Sequence, residues 1–149
     1  TLESMTLAYF IPIIMAMGGN VGLQASTTVV RGLATGSITV GKTFKIVLSE
    51  VRLGAVIGVG AAAITGAMAV IMHLGVPNAS LLSFIVFFSM FLSMTIASTM
   101  GALTPLLLQR IKIDPAVSSG PLITAITDMV NVTIYLTVAT MLIVKTAPR

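Results

Sequence analysis

The chain has 149 residues, of which 56% are hydrophobic and only 8% charged, and its mean hydropathy is +1.10. An ordinary soluble domain carries roughly a quarter charged residues, so this composition excludes a water-solvated surface over most of the chain. There are no cysteines, which excludes a disulfide framework, a thiolate metal site and a thiol nucleophile, and the formal charge is +4.

Four stretches carry almost no charge: 4–30, 53–72, 74–109, and 115–144, the last interrupted by Asp128 alone. Each is long enough for the roughly 20 residues that a bilayer crossing requires. Lipid offers backbone groups no water to bond, so spanning segments are helices or closed barrels, and these runs lack the alternation of barrel strands. The sequence therefore predicts an all-α fold, a polytopic transmembrane bundle of about four helices near 7–30, 53–73, 81–108 and 121–144. All of 1–149 falls in one transmembrane domain with no soluble domain. The chain opens on Thr1 and enters the first apolar run without a polar preamble, as expected of a fragment or processed form. That run is too long for a signal peptide, lacks a basic lead and contains Asn20 and Gln24.

Charge orients the bundle. Arg31, Lys42, Lys45 and Arg52 separate the first two runs, and Arg110 and Lys112 separate the last two. The middle connection, around His73, has neither Lys nor Arg. Basic loops stay cytoplasmic, which puts 31–52 and 109–120 inside and the His73 turn outside, with Lys145 and Arg149 as a weaker signal in the opposite sense. The net positive charge then reads as contact with lipid headgroups in a plasma (inner) membrane, with no nucleic acid partner.

Polar atoms enter the hydrocarbon on two helices. The first carries Asn20, Gln24, Thr27 and Arg31 at helical spacing, and the last carries Thr124, Thr127, Asp128, Asn131 and Tyr135. A carboxylate at mid-membrane depth costs roughly 2.5–3.5 kcal/mol on insertion scales, so Asp128 must face the bundle interior, a partner or a water-filled path. Three roles compete for it: a cation ligand, a protonated acid that relays protons or bonds a neighbouring helix, or half of a buried ion pair. No Lys or Arg lies within a span to complete the pair. The Thr and Asn neighbours are hard oxygen donors, suited to a hard cation, whereas softer metals would want His or Cys. His73, near the outer end of its helix, reads as an interfacial histidine. Asp114 before Pro115 is the ordinary chemistry of a helix start. The spacings Gly18/Gly22, Gly32/Gly36 and Gly54/Gly58 are those of close helix packing, and a loosened helix at Gly18-Gly19-Asn20 could present carbonyls. No His-Glu-x-x-His, paired intramembrane acids or mid-membrane histidine points to an enzyme.

The segment Gly18-Gly19-Asn20-Val21-Gly22-Leu23-Gln24, continuing through Ser26-Thr27 to Arg31-Gly32-Leu33-Ala34, closely resembles a signature of the MgtE family of magnesium channels. A second match runs from Gly101 through Pro105 and Arg110 to Asp114-Pro115-Ala116, then Ser119-Gly120-Pro121, Thr124, Thr127-Asp128 and Ile134-Tyr135. The resemblance covers nearly the whole chain and implies helices two to five of the family's five. It further implies a homodimer whose pore is lined by the first and last helices, with hydrated Mg2+ as the transported ion and as a regulatory one, and no organic cofactor. Asp128 would hold the ion, with the main-chain oxygen at Thr124 nearby; Asn20 and Asn131 are candidate oxygen donors by their own place on the two polar stripes, not by the resemblance. Asp114 would belong to a second cation site at the cytoplasmic mouth, and N-terminal cytoplasmic sensor domains would be partners in gating. Val130 and Asn131 stand where many relatives have Thr-Gly, so selectivity and conductance would differ. The alternative is a sodium- or proton-coupled magnesium exchanger using the same Asp128.

Overall fold

A computed structural model describes residues 7–38, 43–72, 74, 78–118 and 120–146. Four long helices account for most of them: α1 (Ile11–Ala34), α2 (Thr43–Met72), α3 (Ala79–Arg110) and α4 (Pro121–Thr146), with a short 3₁₀ turn, Pro115–Ser118, before α4. All four are long and apolar enough to cross a membrane, and no strand occurs among the described residues. His73, Lys42 and Arg149 lie outside the described residues.

The helix ends follow local chemistry more closely than hydropathy does. α1 starts at Ile11 rather than at 7, because Pro12 belongs in a first helical turn, where its missing N–H costs nothing. It ends at Gly36, whose φ of +70° is the left-handed conformation that terminates helices. The chain then turns back: Ile38 N–H bonds Gly32 O at 3.0 Å, and the Ile38 side chain fills the space over Gly32 that a Cβ would need. α3 ends on Lys112 at φ +62°, with Ile113 N–H reaching Leu108 O at 2.9 Å. α4 begins at Pro121, as expected, behind Gly120 at φ +94°.

The largest departure from the sequence expectation is α2, which begins ten residues before position 53 and takes in Lys45, Glu50 and Arg52. Charge marks where hydrocarbon ends, not where a helix ends. With a rise of 1.5 Å per residue, its 30 residues reach roughly 45 Å, well beyond the roughly 30 Å apolar layer. Lys45 and Arg52 are exposed, whereas Glu50 turns against α3 and is buried.

α3 is the central element and packs against each of the other three; α2 lies at the periphery and touches α1 only slightly. Glycines set these contacts. A Cβ on Gly101 of α3 would collide with the main-chain oxygen of Gly22 on α1, and one on Gly54 of α2 would collide with Ser98 of α3. Ser98 Oγ uses that proximity to donate to Glu50 O at 2.7 Å. Without a hydrophobic driving force between helices in lipid, such close backbone approach and interhelical hydrogen bonding are what hold a bundle together. At one end Val29, Ala102 and Leu106 pack with Leu33, Ile38, Ile46 and Val47; at the other, Leu7, Phe10 and Ile14 pack with Leu82, Ile85, Val86 and Tyr135. The α1–α2 and α3–α4 connections, both basic, thus share one end of the bundle, as the charge pattern predicts.

Gly101→Ala should force α1 and α3 apart and cost about 1–3 kcal/mol, in the range of overpacked sites. Gly60→Ala, where a Cβ meets nothing within 4 Å, should leave stability unchanged or slightly higher. Thermal unfolding of the two variants in one detergent measures the contrast.

Candidate functional site

The seam between α1 and α4 brings together most of the polar residues that the sequence singles out. Gly18, Gly19 and Gly22 form a groove along α1, and α4 lays Asn131, Asp128 and Thr127 into it. A Cβ on Gly19 would lie 3.1 Å from Asp128 Oδ1 and 3.5 Å from Thr124 Cγ2. One on Gly22 would lie 2.7 Å from Thr127 Cγ2 and 3.2 Å from Ala97 O, and one on Gly18 would overlap the Asn131 amide. α1 stays a regular helix through this stretch, so the glycines serve close approach and do not loosen the helix as the sequence suggested.

Asp128 is the eighth residue of α4, roughly 10 Å along the helix from its start at the basic end. It is half-buried, and among the described residues its carboxylate has no hydrogen-bond or ion-pair partner. The hydroxyls around it are committed locally. Thr127 Oγ1 donates to Ile123 O at 2.8 Å and to Thr124 O at 3.0 Å, and Thr124 Oγ1 donates to Gly120 O at 3.2 Å. The Thr124 main-chain oxygen is therefore already an acceptor within its own helix. Neither hydroxyl proton is directed at Asp128, which leaves the carboxylate available to an external cation or to water.

Asn20 follows Gly19 by one residue, a turn of about 100° around the helix, and is exposed, as are Gln24, Thr27 and Arg31. This polar stripe thus begins beside the Asp128 seam and continues onto the outer face of α1. Asn131 is placed differently. It is fully buried against Gly18, and neither atom of its amide has a partner. In this arrangement it faces the interior of its own bundle. Asp114 sits apart from the seam at the basic end, exposed, with Oδ1 accepting the Ala116 N–H at 2.9 Å and its carbonyl accepting Val117 N–H at 3.1 Å. That is the helix-start geometry read from Asp-Pro, here opening a 3₁₀ turn.

Some features had no clear sequence signal. Ser89 and Ser93 of α3 are fully buried without partners, although serine in an apolar run reads only as a small packing residue. Glu50 lies in what hydropathy marks as a connection, and only the early start of α2 carries it into the protein. Tyr135 closes the far end of the seam, its hydroxyl donating to Leu7 O at 2.6 Å. Its place on the polar stripe was visible in the sequence, but its acceptor was not. Among the described residues no three acidic, histidine or cysteine side chains converge, so a single chain brings one carboxylate to the seam.

Four membrane-length helices with a carboxylate set in a glycine-lined polar seam define a polytopic membrane-helix domain. Residues 11–138 match the family model described as MgtE, divalent cation transporter, and the chain belongs to that family. It is similar to proteins named "Magnesium transporter MgtE" from three bacteria. Identity is 36% to that of Enterococcus faecalis over 93% of this chain and 30% of the relative. For Bacillus subtilis it is 32% over 93% of this chain and 30% of the relative, and for Thermus thermophilus 32% over 95% and 31%. The chain thus spans about a third of the length of these relatives.

Replacing Asn131 by Leu, which branches at the same carbon, removes two desolvated polar groups without emptying the Gly18 groove. The variant should be more stable, by about 1–3 kcal/mol, the cost of leaving a buried polar group unsatisfied. Thermal unfolding in detergent, beside Asn131→Ala as the cavity control, measures it.

Proposed function

We propose that the chain is the membrane part of a magnesium channel in which two copies enclose a pore between their α1 and α4 faces, with Asp128 as the ion site. The observation that carries this reading is the Asp128 carboxylate itself: within a membrane span, half-buried, and unpartnered among the described residues. A buried charge must be compensated, and a dication shared by two symmetry-related carboxylates compensates both. The exposed stripe Asn20, Gln24 and Thr27 supports the second copy, because amide groups facing acyl chains would be costly and amide groups lining a wet pore would not.

Magnesium demands octahedral geometry and dehydrates reluctantly, so a site with one carboxylate per chain suits the hydrated ion better than the bare one. The Asp128 pair would bind it through its water shell, assisted by the Asn20 amide and by main-chain oxygen at Thr124. Asn131 would reach the ion only if α4 rotated away from Gly18. The membrane potential would drive entry with about 4.6 kcal/mol per 100 mV for a dication, at roughly 2.3 per charge. The protein would reside in the plasma membrane with its basic end in the cytoplasm, and the Asp114 carboxylates would hold a second, regulatory magnesium at that mouth together with N-terminal sensor domains.

Voltage-driven magnesium flux into liposomes containing the full-length protein tests the ion site. Asp128→Asn should lower flux tenfold or more, as expected from losing a charge-assisted contact of about 1.5–3 kcal/mol. Flux that requires a sodium or proton gradient would make the protein an exchanger, and unchanged flux in the variant would sink the pore assignment. Asp114→Asn preserves the capping oxygen and removes the charge. It should leave maximal flux intact while weakening inhibition by internal magnesium; an unaltered inhibition curve would leave Asp114 as a cap alone.

A further inference from the structure

We propose that the groove between the start of α2 and the end of α3 is a binding site for one anionic phospholipid of the cytoplasmic leaflet. The groove has a volume of about 400 Å³ and is lined by Thr43, Leu103, Leu106, Leu107, Gln109 and Arg110. Its chemistry is graded along the membrane normal. Leu103 lies seven residues before Arg110, roughly 10 Å deeper along α3, so the leucines sit in hydrocarbon while Arg110 and Gln109 sit at headgroup depth. Leucine floor below and guanidinium above match an acyl chain below a phosphate.

Charge complementarity selects an anionic lipid. Arg110, Lys45 and Lys112 are all exposed at this end, and among the described residues none has a carboxylate within ion-pair distance. The two acids in the same region are occupied otherwise. Glu50 is buried against α3, and Asp114 caps the 3₁₀ turn. A guanidinium presents a planar fork of donors to phosphate oxygens, which suits Arg110 to the headgroup.

The position of the groove argues for lipid over a second copy of the chain. α2 packs almost wholly on α3 and barely touches α1, so the α2–α3 groove lies on the side of the bundle away from the Asp128 seam. The outer surface of α2 is apolar and exposed along its length, at Phe44, Val56, Val59, Ile64 and Ile71, as a surface solvated by acyl chains should be. The site is independent of the pore assignment, since none of its residues belongs to the seam.

Native mass spectrometry of the delipidated full-length protein tests the proposal, with phosphatidylglycerol, phosphatidylcholine and free glycerol phosphate added in parallel. Phosphatidylglycerol should be retained more strongly than phosphatidylcholine, and glycerol phosphate should not be retained, because it lacks the chain that fills the leucine floor. Arg110→Gln and, separately, Lys45→Gln should each weaken phosphatidylglycerol retention about fivefold, the usual worth of one basic residue near an anionic surface. Both side chains are exposed, and matched thermal unfolding of variants and parent verifies that the fold is intact. Equal retention of the two lipids, retention of glycerol phosphate, or no effect of Arg110→Gln would overturn the proposal.

Discussion

Gly22 touches both of its neighbours, and the bundle is arranged around that double contact. On one side its main-chain oxygen lies against Gly101 of α3; on the other its missing Cβ leaves room for the Thr127 methyl of α4. A side chain at Gly101 would force α1 away from α3, and one at Gly22 would press first on the Thr127 methyl of α4. The consequence would spread, because α3 is the helix that all the others use. In a membrane, where apolar surface alone does not drive helices together, backbone proximity of this kind supplies the dispersion energy that a soluble core would take from water exclusion.

The seam that results from this packing handles polar groups in two ways. Threonine hydroxyls are satisfied within their own helices: Thr27, Thr65, Thr95, Thr99, Thr127 and Thr133 each donate to the carbonyl four residues back at 2.7–2.8 Å. Such local bonds make threonine inexpensive in lipid. Asp128 and Asn131 have no comparable local solution, since a carboxylate has no proton to give a carbonyl and the amide has been pressed against Gly18. The two residues that cannot be satisfied locally are thus neighbours on one face of α4, one half-open and the other enclosed. That pairing places the unsatisfied polar groups of the seam in a single turn of helix.

The bundle is also asymmetric about α3. On one side lie α1 and α4, with the acid and the exposed amides; on the other lies α2, whose outward face is aliphatic. α2 is longer than the bilayer requires, and its extra turns carry Lys45, Glu50 and Arg52 into the headgroup layer. Glu50 is drawn in by the contact of its own carbonyl with Ser98, a hydrogen bond that forms because Gly54 lets α2 sit directly on α3.

The amino-acid sequence by itself determined the fold class, the number of spans, the shared end of the two basic connections and the prominence of Asp128. These follow from local quantities: twenty-residue apolar runs, the cost of unbonded backbone in lipid, and the rarity of a charge within a span. The family signatures around Gly18–Ala34 and Gly101–Asp128 were equally legible, because they are contiguous. The sequence did not determine that α2 begins at Thr43, since helix formation is indifferent to the charges that end a hydropathy run. Nor did it distinguish Asn131 from Asn20, two asparagines on polar stripes of which one is enclosed against Gly18 and the other open. Helical periodicity specifies which residues share a face but not what that face meets. Only the tertiary structure decided that, through the close approach of α1, α3 and α4 at their glycines.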